Sequence, residues 1–204
     1  MSSNHQLNLM LIGHQMSGKS QIVESYISEK PQQNDQENIE TNAVLFFQKE
    51  YQLDQKKINL FIADTPGVES HLFERIFDLM IQNQQIIVLV FDLCNEQSLD
   101  FQNNVSNQLK KQTEKTICLL GTQNKKFQKK DEKYIKQVKI KIDQLKLQLN
   151  IKENVLVKVD GNNIESIKLA IQKFLEIHGN KVDRKYNLRQ DNSNKGPEQS
   201  CQLI

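Results

Sequence analysis

Gly13-His14-Gln15-Met16-Ser17-Gly18-Lys19-Ser20 has the residue types and spacing of a loop that grasps a polyphosphate. Its glycines let the backbone curl so that successive N–H groups point inward at phosphate oxygens, and a following helix adds its positive dipole end. In that arrangement Lys19 reaches the outer two phosphates and the Ser20 hydroxyl ligates Mg²⁺. Gly13, His14, Gln15, Met16, Ser17, Gly18, Lys19 and Ser20 are therefore candidate binding residues for a purine nucleoside triphosphate.

Downstream, Asp64-Thr65-Pro66-Gly67 ends a run that reads as a strand, where Asp64 faces the Mg²⁺ shell and the Gly67 N–H meets the third phosphate. Thr41 lies in the loop before an extended segment, and its hydroxyl completes the metal shell when the third phosphate is present. Ser20, Thr41 and Asp64 are the candidate metal ligands. Lys19, Thr41 and Gly67 are the candidate catalytic residues, because each is expected to touch the phosphate that would be transferred.

The elements that must position these groups follow from the apolar pattern. Short branched runs alternate with helical patterns, the sequence form of a mostly parallel sheet covered on both faces. Strands are expected at 7–12, 43–53, 57–63, 86–91, 116–120 and 155–159, with the second and third joined as a hairpin through 54–56. Helices are expected at 18–28, 72–82 and 98–112, and a last one is marked by Ile164, Ile167, Ile171, Phe174 and His178. Segment 131–150 carries both a helical stripe and a strand-like alternation; its length and lack of Gly or Pro decide for helix. From Lys181 onward no apolar periodicity remains, so a domain over 1–180 and a flexible tail over 181–204 are expected.

Composition narrows the function class. The chain has 204 residues, 37% of them hydrophobic, enough for one sizeable core. With 27 basic and 25 acidic residues nothing global marks a nucleic-acid binder. Asn and Gln together number 45, spread evenly without interrupting the apolar runs. Three scattered cysteines do not make a disulfide framework, and the four histidines lack metal-ligand spacing. The lysine-rich stretch 125–146 reads as a solvated helix face. The N-terminus has no signal-peptide pattern, and no apolar run approaches the length of a membrane span. Cys201-Gln202-Leu203-Ile204 is a C-terminal lipidation box whose final Ile resembles the type read for geranylgeranylation. A single prenyl chain anchors weakly, so Lys181, Arg184, Lys185 and Arg189 are the available second signal.

Taken with these motifs, the chain resembles a Ras-superfamily GTPase, most closely the Rab branch. TNAVLFFQKEYQLDQKKINLFIADTPG at 41–67 follows the Rab pattern without a gap, and FDLCNEQSL at 91–99 resembles a second Rab segment. LLGTQNK at 119–125 resembles the base-recognition loop, and VKVDGNNI resembles the last base-side loop. The resemblance implies an α/β P-loop NTPase fold with a six-stranded, mostly parallel sheet, and GTP or GDP with Mg²⁺ as ligands. It implies that Thr122, Gln123, Lys125 and Lys158 lie against the base. It further implies that segments 31–42 and 66–80 order around the third phosphate and face effectors and regulators. The function so implied is a lipid-anchored GTP/GDP switch in membrane trafficking, on the cytoplasmic face of a membrane with a cytosolic pool; the alternative is a hydrolysis-deficient scaffold.

Departures from the family pattern fall at chemically telling positions. Val68 stands where the family carries the Gln that orients the attacking water, and an aliphatic side chain cannot hold that water. Gln15 puts bulk toward the third phosphate where a glycine is usual, obstructing an arginine finger. Lys125 replaces the Asp that accepts hydrogen bonds from guanine, and an ammonium cannot accept. Lys158 replaces an Ala, a change its backbone N–H tolerates. Slow turnover is the expectation.

Overall fold

The structure is a computed structural model that describes residues 5–31, 41–53, 56–99, 102–123, 130–151 and 156–193. In chain order the elements are β1 (His5–Gly13), α1 (Lys19–Ser28), β2 (Leu45–Leu53), β3 (Lys56–Asp64), α2 (His71–Gln82) and β4 (Ile86–Asp92). A 3₁₀ turn (Glu96–Leu99), α3 (Gln102–Leu109), β5 (Thr116–Gln123), α4 (Glu132–Gln148), β6 (Leu156–Asp160) and α5 (Ile164–Ser193) follow. The six strands form one sheet in the order β2-β3-β1-β4-β5-β6. Only β2 runs antiparallel to its neighbour, pairing Leu53 with Lys56 at the turn end and Leu45 with Asp64 at the other. The remaining pairings are parallel.

Alternation along the strands explains the layers. Leu9, Leu11, Val88 and Val90 face one side with Leu120, where Ile22, Val23 and Tyr26 of α1 meet Ile167, Ile171 and Phe174 of α5. Met10, Ile12, Ile87 and Leu89 face the other, against Phe73 and Phe77 of α2, Leu109 of α3, and Val138, Ile142 and Leu145 of α4. Covered on both faces, β4 reads as an unbroken apolar run, and Ile86 to Phe91 are all buried. Segment 131–150 resolves as the helix α4, started by the Asp131 carboxylate accepting from the Tyr134 N–H at 2.7 Å.

Two expectations are corrected. The stretch 98–112 is not one helix. Ser98 Oγ bonds the N–H of Asp92 at 3.0 Å and the carbonyls of Asp92 and Asn95, holding the chain in a short 3₁₀ turn before α3 begins. Irregular chain does not begin at Lys181, because α5 continues through Ser193. A helix seeded on a core face propagates at little cost, and Lys181 Nζ fastens the point of departure to the carbonyls of Thr113 and Lys115 at 2.9 and 2.6 Å. Apolar periodicity reports burial, and a helix that carries none past Lys181 gives no such signal in the sequence. No described helix is long and apolar enough to cross a membrane.

Candidate functional site

Between β1 and α1 the chain makes a tight loop that only small residues at two points permit. A Cβ on Gly13 would lie 2.2 Å from the Val90 carbonyl oxygen and 2.8 Å from Ser17 Oγ, so any side chain there collides with the neighbouring strand. Met16 and Gly18 both take positive φ, 59° and 92°, which turns the intervening amides toward a common centre. Ser17 N–H bonds back to the His14 carbonyl at 3.2 Å. Met16 pays for its backbone with no packing gain, its side chain being 71% exposed. Gly18 supplies no side-chain cap and the first turn of α1 holds no acid, so the helix N-terminus keeps its free N–H groups for an anion.

Lys19 is folded back over this loop. Its Nζ donates to the carbonyls of Gly13 and His14, both at 2.9 Å, and its side chain is buried. Burial lowers its pKa to about 8, even though the charges of Asp64 and Glu69 favour the protonated form.

The metal-side residues converge from three elements. Ser20 on α1 and Thr41 ahead of β2 place their hydroxyl oxygens 2.7 Å apart. Asp64, the last residue of β3, is buried, and neither of its carboxylate oxygens has a hydrogen-bond partner among the described residues. Burial raises its pKa, with the Ser20 hydroxyl and the Lys19 ammonium opposing. A carboxylate desolvated without partners is costly unless a cation joins it. Two hydroxyls and one carboxylate are hard oxygen donors of the kind Mg²⁺ takes, leaving room for phosphate oxygens and water. The residues fit that ion.

After Asp64 the chain folds back across the loop. Thr65 Oγ1 donates to the Leu11 carbonyl at 2.8 Å, and Val68 N–H to the Gly13 carbonyl at 3.2 Å. A turn closes with Ser70 N–H on the Gly67 carbonyl at 2.9 Å, and Ser70 Oγ then caps α2 through the Phe73 N–H. At the crest of this turn Glu69 Oε1 accepts from the Gln15 N–H at 2.8 Å and lies 3.2 Å from His14 Nδ1.

On the base side, Thr122 Oγ1 donates to the Ser17 carbonyl at 2.9 Å and approaches the Phe91 carbonyl at 3.3 Å, tying the end of β5 to the phosphate loop. Gln123 stands opposite Asp160 and Lys158 opposite Gly121 in the β5–β6 register. Gly161 follows β6 against Gln21 of α1, whose Nε2 donates to Asn162 Oδ1 at 2.9 Å. Lys125 and Cys201 lie outside the described residues, as does most of segment 31–42.

The fold thus gathers Gly13 to Ser20, Thr41, Asp64, Gly67 and Thr122 at the C-terminal edge of the sheet, where open α/β folds hold ligands. Sequence reasoning assigned no individual role to Glu69 or to Thr65 as an anchor, and it named Ser17 for binding without marking its Oγ as buried and lacking a hydrogen-bond partner among the described residues. Only Thr65 had a local signal, its place inside Asp-Thr-Pro-Gly.

Comparison with known proteins agrees with this geometry. The chain is 29% identical over 121 residues to the Ras-related protein Rab-21 of Bos taurus, of Canis lupus familiaris and of Homo sapiens. Each match covers 59% of this chain and 52% of the relative, so the chain spans about half the length of these relatives. Among protein-family models the one described as the Ras family matches residues 8–149, which takes in most of β1, the phosphate loop, β2 to β5 and α4. Similar in sequence to Rab proteins and folded as an α/β domain with a phosphate loop, this chain belongs to the Ras family.

Proposed function

We propose that this chain is a membrane-anchored switch that binds GTP or GDP with Mg²⁺ and hydrolyses GTP slowly. The observation that carries the reading is Asp64, a buried carboxylate whose two oxygens have no partner in full hydrogen-bond geometry among the described residues although Ser20 and Lys19 lie beside it, which asks for a cation and its phosphate. When bound, Mg²⁺ would neutralise charge on the phosphate oxygens; Ser20, Thr41 and Asp64 would hold it. The loop amides and Lys19 bind and orient the polyphosphate, and Gly67 stands against its end. Val68 supports slow turnover. Its side chain packs against the apolar cluster on the α2 side and has nothing with which to place a water.

Guanine preference rests on family membership, since Lys125 lacks the usual carboxylate. Segments 31–42 and 66–80 are the proposed effector and regulator surface, and the exposed Leu72 and Leu79 on α2 suit that role. A prenyl group on Cys201 supplies the membrane anchor, with 1–180 as the nucleotide-binding domain. Trafficking is the role the Rab-like sequence favours. A second reading, a scaffold that keeps its nucleotide without cycling, is favoured by Val68 and Gln15.

Purification from cells, chromatography of the released nucleotide, and a time course of its conversion over hours test both. GTP that turns slowly into GDP supports the switch. Unconverted GTP favours the scaffold, bound ATP overturns the base assignment, and no nucleotide in a chain that also fails to bind added GTP overturns the whole reading.

A further inference from the structure

The Glu69 carboxylate lies against the phosphate loop at Gln15 and against Gly67. Its Oε1 takes the Gln15 N–H of the phosphate loop at 2.8 Å. Its Oε2 lies 2.8 Å from where a Cβ on Gly67 would be, and the same point is 2.9 Å from Gln15 N. Gly67 and Gln15 are therefore against each other, with the carboxylate over both. Lys19 feels the charge of Glu69 directly, so the acid lies within the electrostatic reach of the one cation meant for the outer phosphates.

Local geometry holds the acid there. The Gly67–Ser70 turn lifts Glu69 toward the loop, and Val68 N–H on the Gly13 carbonyl fixes the turn's near side. His14 adds a second hold. Its Nδ1 lies 3.2 Å from both Glu69 Oε1 and the Gln15 carbonyl, two acceptors, so Nδ1 carries the proton and donates. His14 and Gln15 are side chains of this particular loop.

Resting on the nucleotide-binding reading, we propose that Glu69 is an intramolecular competitor of the third phosphate, which makes the free chain select nucleoside diphosphate over triphosphate. A carboxylate and a phosphate are both anions seeking the same N–H and the same ammonium, and the two cannot share so small a space. A diphosphate ends short of Gly67 and leaves the carboxylate in place. A triphosphate must displace it, breaking the bonds to Gln15 and His14 and swinging the turn outward. Displacement of Glu69 would then be the event that reports the third phosphate to the 66–80 surface.

The test is a pair of dissociation constants, for GDP and for a non-hydrolysable GTP analogue, measured by calorimetry with Mg²⁺ on the nucleotide-free full chain. Wild type, Glu69→Gln and Glu69→Ala are compared, and thermal melts establish that each is folded. Glu69 is partly exposed on a turn, so both variants keep the core. Removal of the charge should tighten the triphosphate analogue by about tenfold and leave GDP within about twofold. An unchanged ratio of the two constants in folded variants that bind GDP overturns the competitor alone. Absence of binding by either nucleotide, in wild type and variants alike, overturns the nucleotide reading and the competitor with it.

Discussion

Ser20 Oγ and Thr41 Oγ1 meet at 2.7 Å, although one side chain stands in the first turn of α1 and the other precedes β2, 21 residues on. The contact brings the segment before β2 down onto the phosphate loop, so that one ion can be held from both. Replacement of Ser20 by Ala removes the donor on the α1 side. Nucleotide binding should lose its Mg²⁺ dependence, with retention in Mg²⁺ falling by about tenfold or more toward the level seen with EDTA; filter binding with and without chelator measures it.

Lys19 gives the site a pH signature. Its pKa of about 8 in the folded chain is below the ordinary 10.5, so the unfolded chain binds more protons between these values. Stability of the free protein from this group therefore rises as pH climbs through that window. Nucleotide binding runs the other way: polyphosphate favours the ammonium, so affinity should fall as pH rises above about 8 and binding at pH 9 should take up a proton. Calorimetry at pH 9 in two buffers of different ionisation enthalpy reads that proton; equal heats in both would contradict it.

Asp64 sets stability against binding. Its carboxyl is raised by burial, so the ionised form costs the free chain stability at pH values above its folded pKa, and the cost is relieved as pH falls through it. Asp64→Asn should raise the stability of the ligand-free chain by about 1 kcal/mol, a few degrees in melting temperature. The same change should remove the extra stabilisation that Mg²⁺ with nucleotide gives the wild type.

Gly13 admits no side chain. Because its Cβ would meet the Val90 carbonyl oxygen, a backbone atom, at 2.2 Å, Gly13→Ala must push β1 from β4. A loss of more than about 2 kcal/mol in urea unfolding is expected.

Val68→Gln returns an amide to the position beside Gly67. Single-turnover phosphate release should quicken by about tenfold if the missing water ligand is what slows the reaction. An unchanged rate would place the obstacle at Gln15 instead, and Gln15→Gly in the same background would then raise it.

The phosphate loop was legible because its chemistry is contiguous: Gly13 to Ser20 must be adjacent in sequence to curl around one anion, so spacing alone reveals them. Asp64 and Thr41 could be placed because each ends or precedes a recognisable strand. Glu69 could not, since its bond to Gln15 spans 54 residues and exists only once the Gly67–Ser70 turn has folded back. Thr122 was named for the base side by resemblance, but not its bond to the Ser17 carbonyl, which spans 105 residues of chain. Strand positions read well because burial on both faces leaves an apolar run. The 3₁₀ turn at Glu96–Leu99 did not, because the Ser98 hydroxyl holds it and one serine carries no periodic signal.

The continuation of α5 from Lys181 through Ser193 makes the last turns of the helix a spindle. At 1.5 Å per residue the spindle projects the exit point by about 20 Å, and at about 100° per residue it also assigns that exit a compass bearing. Deletion of one residue within it would swing the bearing by more than a quarter circle, whereas deletion of seven would shorten the stalk and restore the bearing to within about 20°. The direction in which α5 ends is thereby written into helical phase, where length alone would leave it free.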